Sequence, residues 1–136
     1  MDPLPIRIDP DDPAPIYQQV KRQLKELILS GALPPGTLLP SIRALAEALK
    51  VSVITTRRVY QDLEYEGWIM SEQGRGTFVA AYDEAERRED RLALARQALM
   101  TAVERGRRLG LSDELLAEMF ADVLRDDSIR PMHKWT

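Results

Sequence analysis

The sequence predicts a mainly α-helical chain with one small β-hairpin: three helices and the hairpin first, then two more helices. Three observations predict this. Apolar residues recur at three- and four-residue steps through five segments, two β-prone runs flank a Gly-rich stretch around Gly74, and Ser, Gly or Pro marks each junction. At 136 residues and 44% hydrophobic, the chain has the size of one folded domain carrying an appendage. It contains no cysteine, which excludes disulfides, thiolate metal sites and a cysteine nucleophile and suits a reducing cytoplasm, the expected location. A lone histidine, His133, argues against zinc chemistry, so neither metal nor cofactor is expected.

Residues 1–13 hold four prolines and four aspartates and read as an extended arm, acidic and Pro-broken where a signal peptide is basic then apolar. No apolar run approaches the roughly 20 residues of a membrane span, so no membrane partner is expected. Pro15 suits a first helical turn, and Ile16, Val20, Leu24, Leu27 and Ile28 give the first helix an apolar face. Ser30-Gly31 and Pro34-Pro35-Gly36 end it. Ser41 caps a short second helix whose inner face is Ile42, Leu45, Ala46 and Leu49. After a tight turn at Lys50-Val51, Ser52 caps a third helix that runs to Glu66 and stops at Gly67. Two short helices joined this way have helix-turn-helix dimensions. Trp68 to Met70 and Thr77 to Val79 then form a hairpin around residues 71–76, which completes a winged helix-turn-helix.

Residues 83–109 are charged and Ala-rich, with Leu92, Ala95, Leu99 and Val103 as one stripe of a long helix closed by Gly110. Ser112 caps a last helix on which Leu115, Leu116, Met119, Phe120, Val123 and Leu124 cover about half the circumference. So wide an apolar face needs more cover than one neighbouring helix gives. It suits a homodimer interface better than intramolecular packing or a pocket for a small effector, because two helices enclose little volume. The expected organisation is therefore an arm (1–13), a winged domain (14–81), a helical dimerisation hairpin (82–130) and a tail (131–136).

Charge places the candidate site. The net charge of −3 is spread over both halves, yet residues 41–58 hold Arg43, Lys50, Arg57 and Arg58 against Glu47 alone. On the third helix Thr56, Val59 and Leu63 share the inner face, while Ile54, Arg57, Arg58 and Gln61 face the other way. Arginine matches guanine O6/N7, glutamine matches adenine N6/N7, and an apolar tip meets the thymine methyl. Ser41, Ser52 and Thr55 lie at helix starts, where hydroxyls and backbone N–H groups hold phosphates. In the wing, Gln73, Gly74, Arg75 and Gly76 offer close backbone approach and an arginine for a minor groove, although the same run also serves as a plain tight turn. The partner expected is double-stranded DNA.

The ordered motifs PIYQQ, SGALPPG, LPSIRALA, VSxxTxRRxYxxLExEG and QGRGTFV resemble, from Pro15 to Ala80, the DNA-binding domain of GntR-type transcription regulators. The short helical remainder is similar to the YtrA-like subfamily, in which two helices serve mainly for dimerisation. The resemblance implies a homodimeric regulator, usually a repressor, on an operator of inverted-repeat character. By position it assigns DNA contacts to Arg43, to Ser52, Val53, Ile54, Thr55 and Arg57, and to Gln73 and Gly74. Many relatives carry arginine at the place of Val53, so Val53 and Ile54 are expected to meet thymine methyls instead.

Other classes fit less well. Tyr17, Tyr60 and Trp68 are better read as packing than as stacking platforms for single strands. Asp126-Asp127 lacks the partners that catalysis or metal binding requires, and no nucleophile–base pair points to an enzyme. A protein-interaction module on a winged-helix scaffold is the alternative, and weak salt dependence of binding is its signature.

Overall fold

The computed structural model describes residues 4–129, so the sequence-predicted tail with His133 and Trp135 lies outside the described residues. Five helices and one hairpin follow in the order α1 (Ile16–Leu29), α2 (Ile42–Leu49), α3 (Val53–Tyr65), β1 (Ile69–Glu72), β2 (Gly76–Val79), α4 (Glu84–Arg108) and α5 (Asp113–Leu124). A short 3-10 turn closes the described part at Asp127–Ile129. The chain divides into two compact units between Arg87 and Arg88.

In the first unit α1 starts at Pro15 with no side-chain cap, whereas α2 and α3 start where the sequence offers one. Ser41 Oγ accepts the Ala44 N–H and Ser52 Oγ accepts the Thr55 N–H, both at 3.0 Å. The core is apolar and continuous, with Val20, Leu24 and Ile28 of α1, Leu45 of α2, Val59 and Leu63 of α3, and Val79 of β2 almost fully buried. α2 ends unusually. Lys50 takes the left-handed conformation (φ 56°), so that its N–H reaches Glu47 O (3.3 Å) and the Val51 N–H reaches Ala46 O (3.0 Å). These two bonds form the motif that commonly closes a helix with glycine, here carrying a side chain at a cost of about 1–2 kcal/mol.

α1 and α3 run parallel, as their facing side chains show. Arg58 meets Tyr17, Asp62 and Glu66 meet Lys21, and Glu66 also meets Lys25 at 2.9 Å. The partners advance by four residues on both helices in the same direction, which fixes the rotation of α3 about its own axis. Burial disfavours the charges of this cluster. Their mutual hydrogen bonds and attraction outweigh it, holding the Glu66 carboxyl below and the Lys21 ammonium above their ordinary ranges.

β1 and β2 pair antiparallel with Ile69 opposite Val79 and Glu72 opposite Gly76, turning through Gln73 to Arg75. The sequence reading anticipated two strands. Residues 37–39 add a short third partner on the other edge of β2, bridging Leu38 to Phe78 with Leu39 N–H donating to Thr77 O at 2.8 Å. The wing is thus pinned to the segment between α1 and α2.

The arm also docks. Gln23 accepts the Arg7 N–H (2.9 Å) and donates to Arg7 O (2.6 Å), while Gln19 accepts the Asp9 N–H (2.8 Å) and donates to Asp9 O (3.1 Å). Two side-chain amides thereby replace the neighbouring strand that an extended backbone needs. Ile6 inserts into the core, and Trp68 is buried with the Arg87 guanidinium 3.8 Å and the Lys25 ammonium 5.3 Å from its ring centre.

In the second unit α4 ends on Gly110 (φ 88°), whose N–H reaches Arg107 O while the Leu111 N–H reaches Gly106 O. Ser112 caps α5 and Arg107 grips Asp113 through two bonds of 3.0 and 3.2 Å. That hydrogen bond and the attraction behind it hold the Asp113 carboxyl below its ordinary range. Gly106 is buried against Leu116. The rest of the apolar surface stays open, with Leu92, Leu99, Val103, Leu115, Met119, Phe120 and Val123 between 38% and 57% exposed.

Candidate nucleic-acid interface

The candidate surface begins at the start of α3. Ser52 spends its hydroxyl locally, since Oγ also donates to Thr55 Oγ1 at 2.8 Å. The first amides of α3 remain directed along the helix axis with the positive end of its dipole. Val53 and Thr55 are half-buried, whereas Ile54 projects with 81% of its surface exposed. Arg57 and Gln61 are exposed on the same side, one and two turns further on. The buried residues Thr56, Val59, Tyr60 and Leu63 hold the opposite side against the core. Tyr60 also donates its hydroxyl to Pro40 O at 2.7 Å, and burial pushes its phenol well above the ordinary range. This bond ties α3 to the residue just before the Ser41 cap, and therefore to Arg43 on the exposed side of α2.

Arg58 does not join Ile54, Arg57 and Gln61. Its guanidinium lies 3.8 Å from the centre of the Tyr17 ring, drawn toward α1. The sequence favours packing for Tyr17 over single-strand stacking and does not connect it with Arg58. Only the parallel approach of α1 to α3 brings the two residues together, and no local motif spells that out.

In the wing, Gln73, Gly74, Arg75 and Gly76 are all exposed, and Gly74 (φ 80°) and Gly76 (φ 109°) take conformations that glycine adopts without strain. A Cβ added at Gly76 would also stand only 3.1 Å from Leu38 Cδ1. Arg75 is engaged by Glu72 at 3.0 Å. A further brace, missed from the sequence, runs from α3 to the wing: the Glu64 carboxylate accepts the Ser71 N–H at 2.8 Å. Ser71 and Thr77 share a hydrogen bond of 3.2 Å across the strands. Among the described residues no cluster of three or more His, Cys, Asp or Glu is arranged for a metal ion. No helix there is long and apolar enough to cross a membrane.

A capped helix with an exposed Ile, Arg and Gln, held on two others and followed by a braced glycine-turned wing, defines a winged helix-turn-helix transcription regulator of the DNA-binding class. Comparison with known proteins agrees: the family described as "Bacterial regulatory proteins, gntR family" matches residues 16–79. The chain belongs to the GntR family and resembles its short YtrA-like members over nearly its full length. It is 33% identical over 121 residues to the HTH-type transcriptional repressor YtrA of Bacillus subtilis, covering 89% of this chain and 93% of that one. Its fold matches a solved structure described as a transcriptional antiterminator from Listeria monocytogenes, with TM-score 0.68, 27% identity and coverage of 99% and 100%. It also matches YtrA from Sulfolobus acidocaldarius, with TM-score 0.54, 38% identity and coverage of 69% and 97%. The family is one of regulators and not of enzymes.

Proposed function

We propose that the protein is a cytoplasmic homodimeric repressor that binds an inverted-repeat operator, with α3 in the major groove and the wing in the adjacent minor groove. The exposed Ile54, Arg57 and Gln61 carry this reading, because they match thymine methyl, guanine and adenine edges in turn. Arg43, Ser41 and the free amides at the start of α3 hold phosphates. Gln73, Gly74 and Gly76 bring backbone close to the minor-groove wall, and Arg75 enters it. Because Val53 is half-buried and Ile54 is not, the thymine contact falls on Ile54.

The dimer follows from the second unit. Leu92, Ala95, Leu99 and Val103 of α4 and Leu115, Met119, Phe120 and Val123 of α5 leave an apolar surface that water does not favour, as in a core cut in half. Leu116 instead packs inside the hairpin on Gly106. Two-fold symmetry then presents the same α3 to each half-site, which requires a palindrome.

Operator selection with the purified full chain tests the reading, followed by binding measurements on Arg57→Ala. The substitution is expected to cost about 1–3 kcal/mol and relax preference at one base pair. Full affinity and unchanged base preference in Arg57→Ala, or binding that ignores salt, overturns the reading.

A further inference from the structure

Arg57 and Arg58 are adjacent in sequence and both exposed, yet they are held differently. Arg58 has its guanidinium carbon over the Tyr17 ring of α1, 3.8 Å from the ring centre, while Arg57 stays on the side of Ile54 and Gln61. An α-helix with its side chains is about 10–12 Å across and the major groove about 12 Å wide. A helix seated there turns its outermost line of residues to the base edges and its flanks to the phosphates that border the groove. Stacking on α1 moves the Arg58 guanidinium off that line to the α1 flank.

A guanidinium stacked in this way keeps its donors available. The weakly hydrated face of a guanidinium is what an aromatic ring attracts, and all five N–H groups lie in the plane, directed outward from its edge. An arginine held this way has already lost much of its rotamer freedom, so less entropy is lost when it grips an anion. Tyr17 is itself placed by the parallel α1–α3 contact that continues through Lys21 and Lys25, whose acidic partners Asp62 and Glu66 lie one and two turns beyond Arg58. Positive charge on α3 therefore gathers in its first half.

We infer that Tyr17 is a positioning residue that preorganises Arg58 as a clamp for a backbone phosphate, so that the neighbouring arginines divide the work, Arg57 reading a base and Arg58 fixing the strand. This rests on the DNA-binding reading above. Tyr17 touches no base; it acts through Arg58.

The test measures binding to the selected operator and to a scrambled duplex across a salt series, with wild type, Arg58→Ala, Tyr17→Phe, Tyr17→Leu and the double variant Tyr17→Leu/Arg58→Ala. Arg58→Ala is expected to weaken both duplexes by a similar factor, on the order of tenfold, and to reduce the salt slope by about one. Tyr17→Phe keeps the ring and is expected to bind as wild type. Tyr17→Leu is expected to lose several-fold, and to add nothing once Arg58 is alanine. Thermal melting checks the fold, and Tyr17→Gln replaces Tyr17→Leu should the latter not fold. A loss confined to one base pair in Arg58→Ala overturns the inference, as do additive losses in the double variant or a loss in Tyr17→Phe equal to that in Tyr17→Leu. If Arg57→Ala behaves as expected and these do not, only the division of labour fails. If wild type binds neither duplex, the DNA-binding reading itself fails.

Discussion

At the residue scale, two basic residues are held in ways that their type alone does not favour. Lys50 occupies a left-handed position where glycine is the ordinary choice, and it does so in the tight turn before α3. Lys50→Gly is expected to stabilise the fold by about 1 kcal/mol, seen as a higher melting temperature. If the lysine meets a phosphate, the same variant loses about one from the salt slope of DNA binding. Arg75 is the second case, since its ion pair with Glu72 offsets the charge that the proposed wing contact would offer to DNA. Such exposed pairs contribute only about 0–1 kcal/mol to stability. Glu72→Gln is therefore expected to leave melting unchanged and to raise affinity for any duplex a few-fold; equal or weaker binding in a titration at low salt would refute it.

At the scale of elements, the α1–α3 contact and the α4–α5 turn carry opposite kinds of sensitivity. Glu66 has its carboxyl held below its ordinary value near 4.5, so its contribution is present above that value and is lost as pH falls through the depressed one. Lys21 is held above its ordinary 10.5, so its contribution persists throughout the neutral range and is lost only in strong alkali. Glu66→Gln should lower the melting temperature at neutral pH and flatten its decline in acid, a pair of changes that thermal scans between neutral and acidic buffers check. In the turn, a methyl at Gly106 overlaps the Leu116 side chain. Overpacking of about 1–3 kcal/mol outweighs the gain of about 1 kcal/mol from helix propensity, so Gly106→Ala is expected to loosen the hairpin, measured by amide exchange in α5. Much of this level was legible in the sequence. Ser41, Ser52 and Ser112 each cap the helix expected of them, because a cap is decided within four residues. The bridge from residues 37–39 to β2 was not legible, the stretch being too short between Pro-Pro-Gly and Pro to show a period of two. Nor was the docking of the arm, because the partners that Gln19 and Gln23 take, Asp9 and Arg7, lie 10 and 16 residues away and no local pattern pairs them. The Tyr17–Arg58 and Glu64–Ser71 contacts join residues distant in sequence or in different elements, and periodicity carries no information about those.

At the scale of the molecule, the two units differ in how they are stabilised. The first has a buried core of its own, whereas in the second Gly106 is the only buried residue of its described helices. In the proposed dimer the second unit would gain stability from association, so the melting temperature is expected to rise with protein concentration. Phe120→Glu, which puts a charge into the open apolar face, is expected to yield a monomer in sedimentation with the winged unit still folded. Operator affinity is then expected to fall by orders of magnitude, since the proposed dimer no longer joins two half-sites in one binding event. A monomeric wild type that binds the operator tightly would contradict this.

The burial of Trp68 beside two cations has a practical consequence for observing the protein. Trp68 and Trp135 are the two tryptophans of the chain, so Trp135→Phe leaves a single indole, shielded from water beneath Arg87 of α4 and beside Lys25 of α1. Its emission then reports on one place within the first unit, the contact of Arg87 with the Trp68 ring. A red shift that precedes loss of helix signal on heating marks the release of that contact, and a shift on adding operator marks its response to DNA.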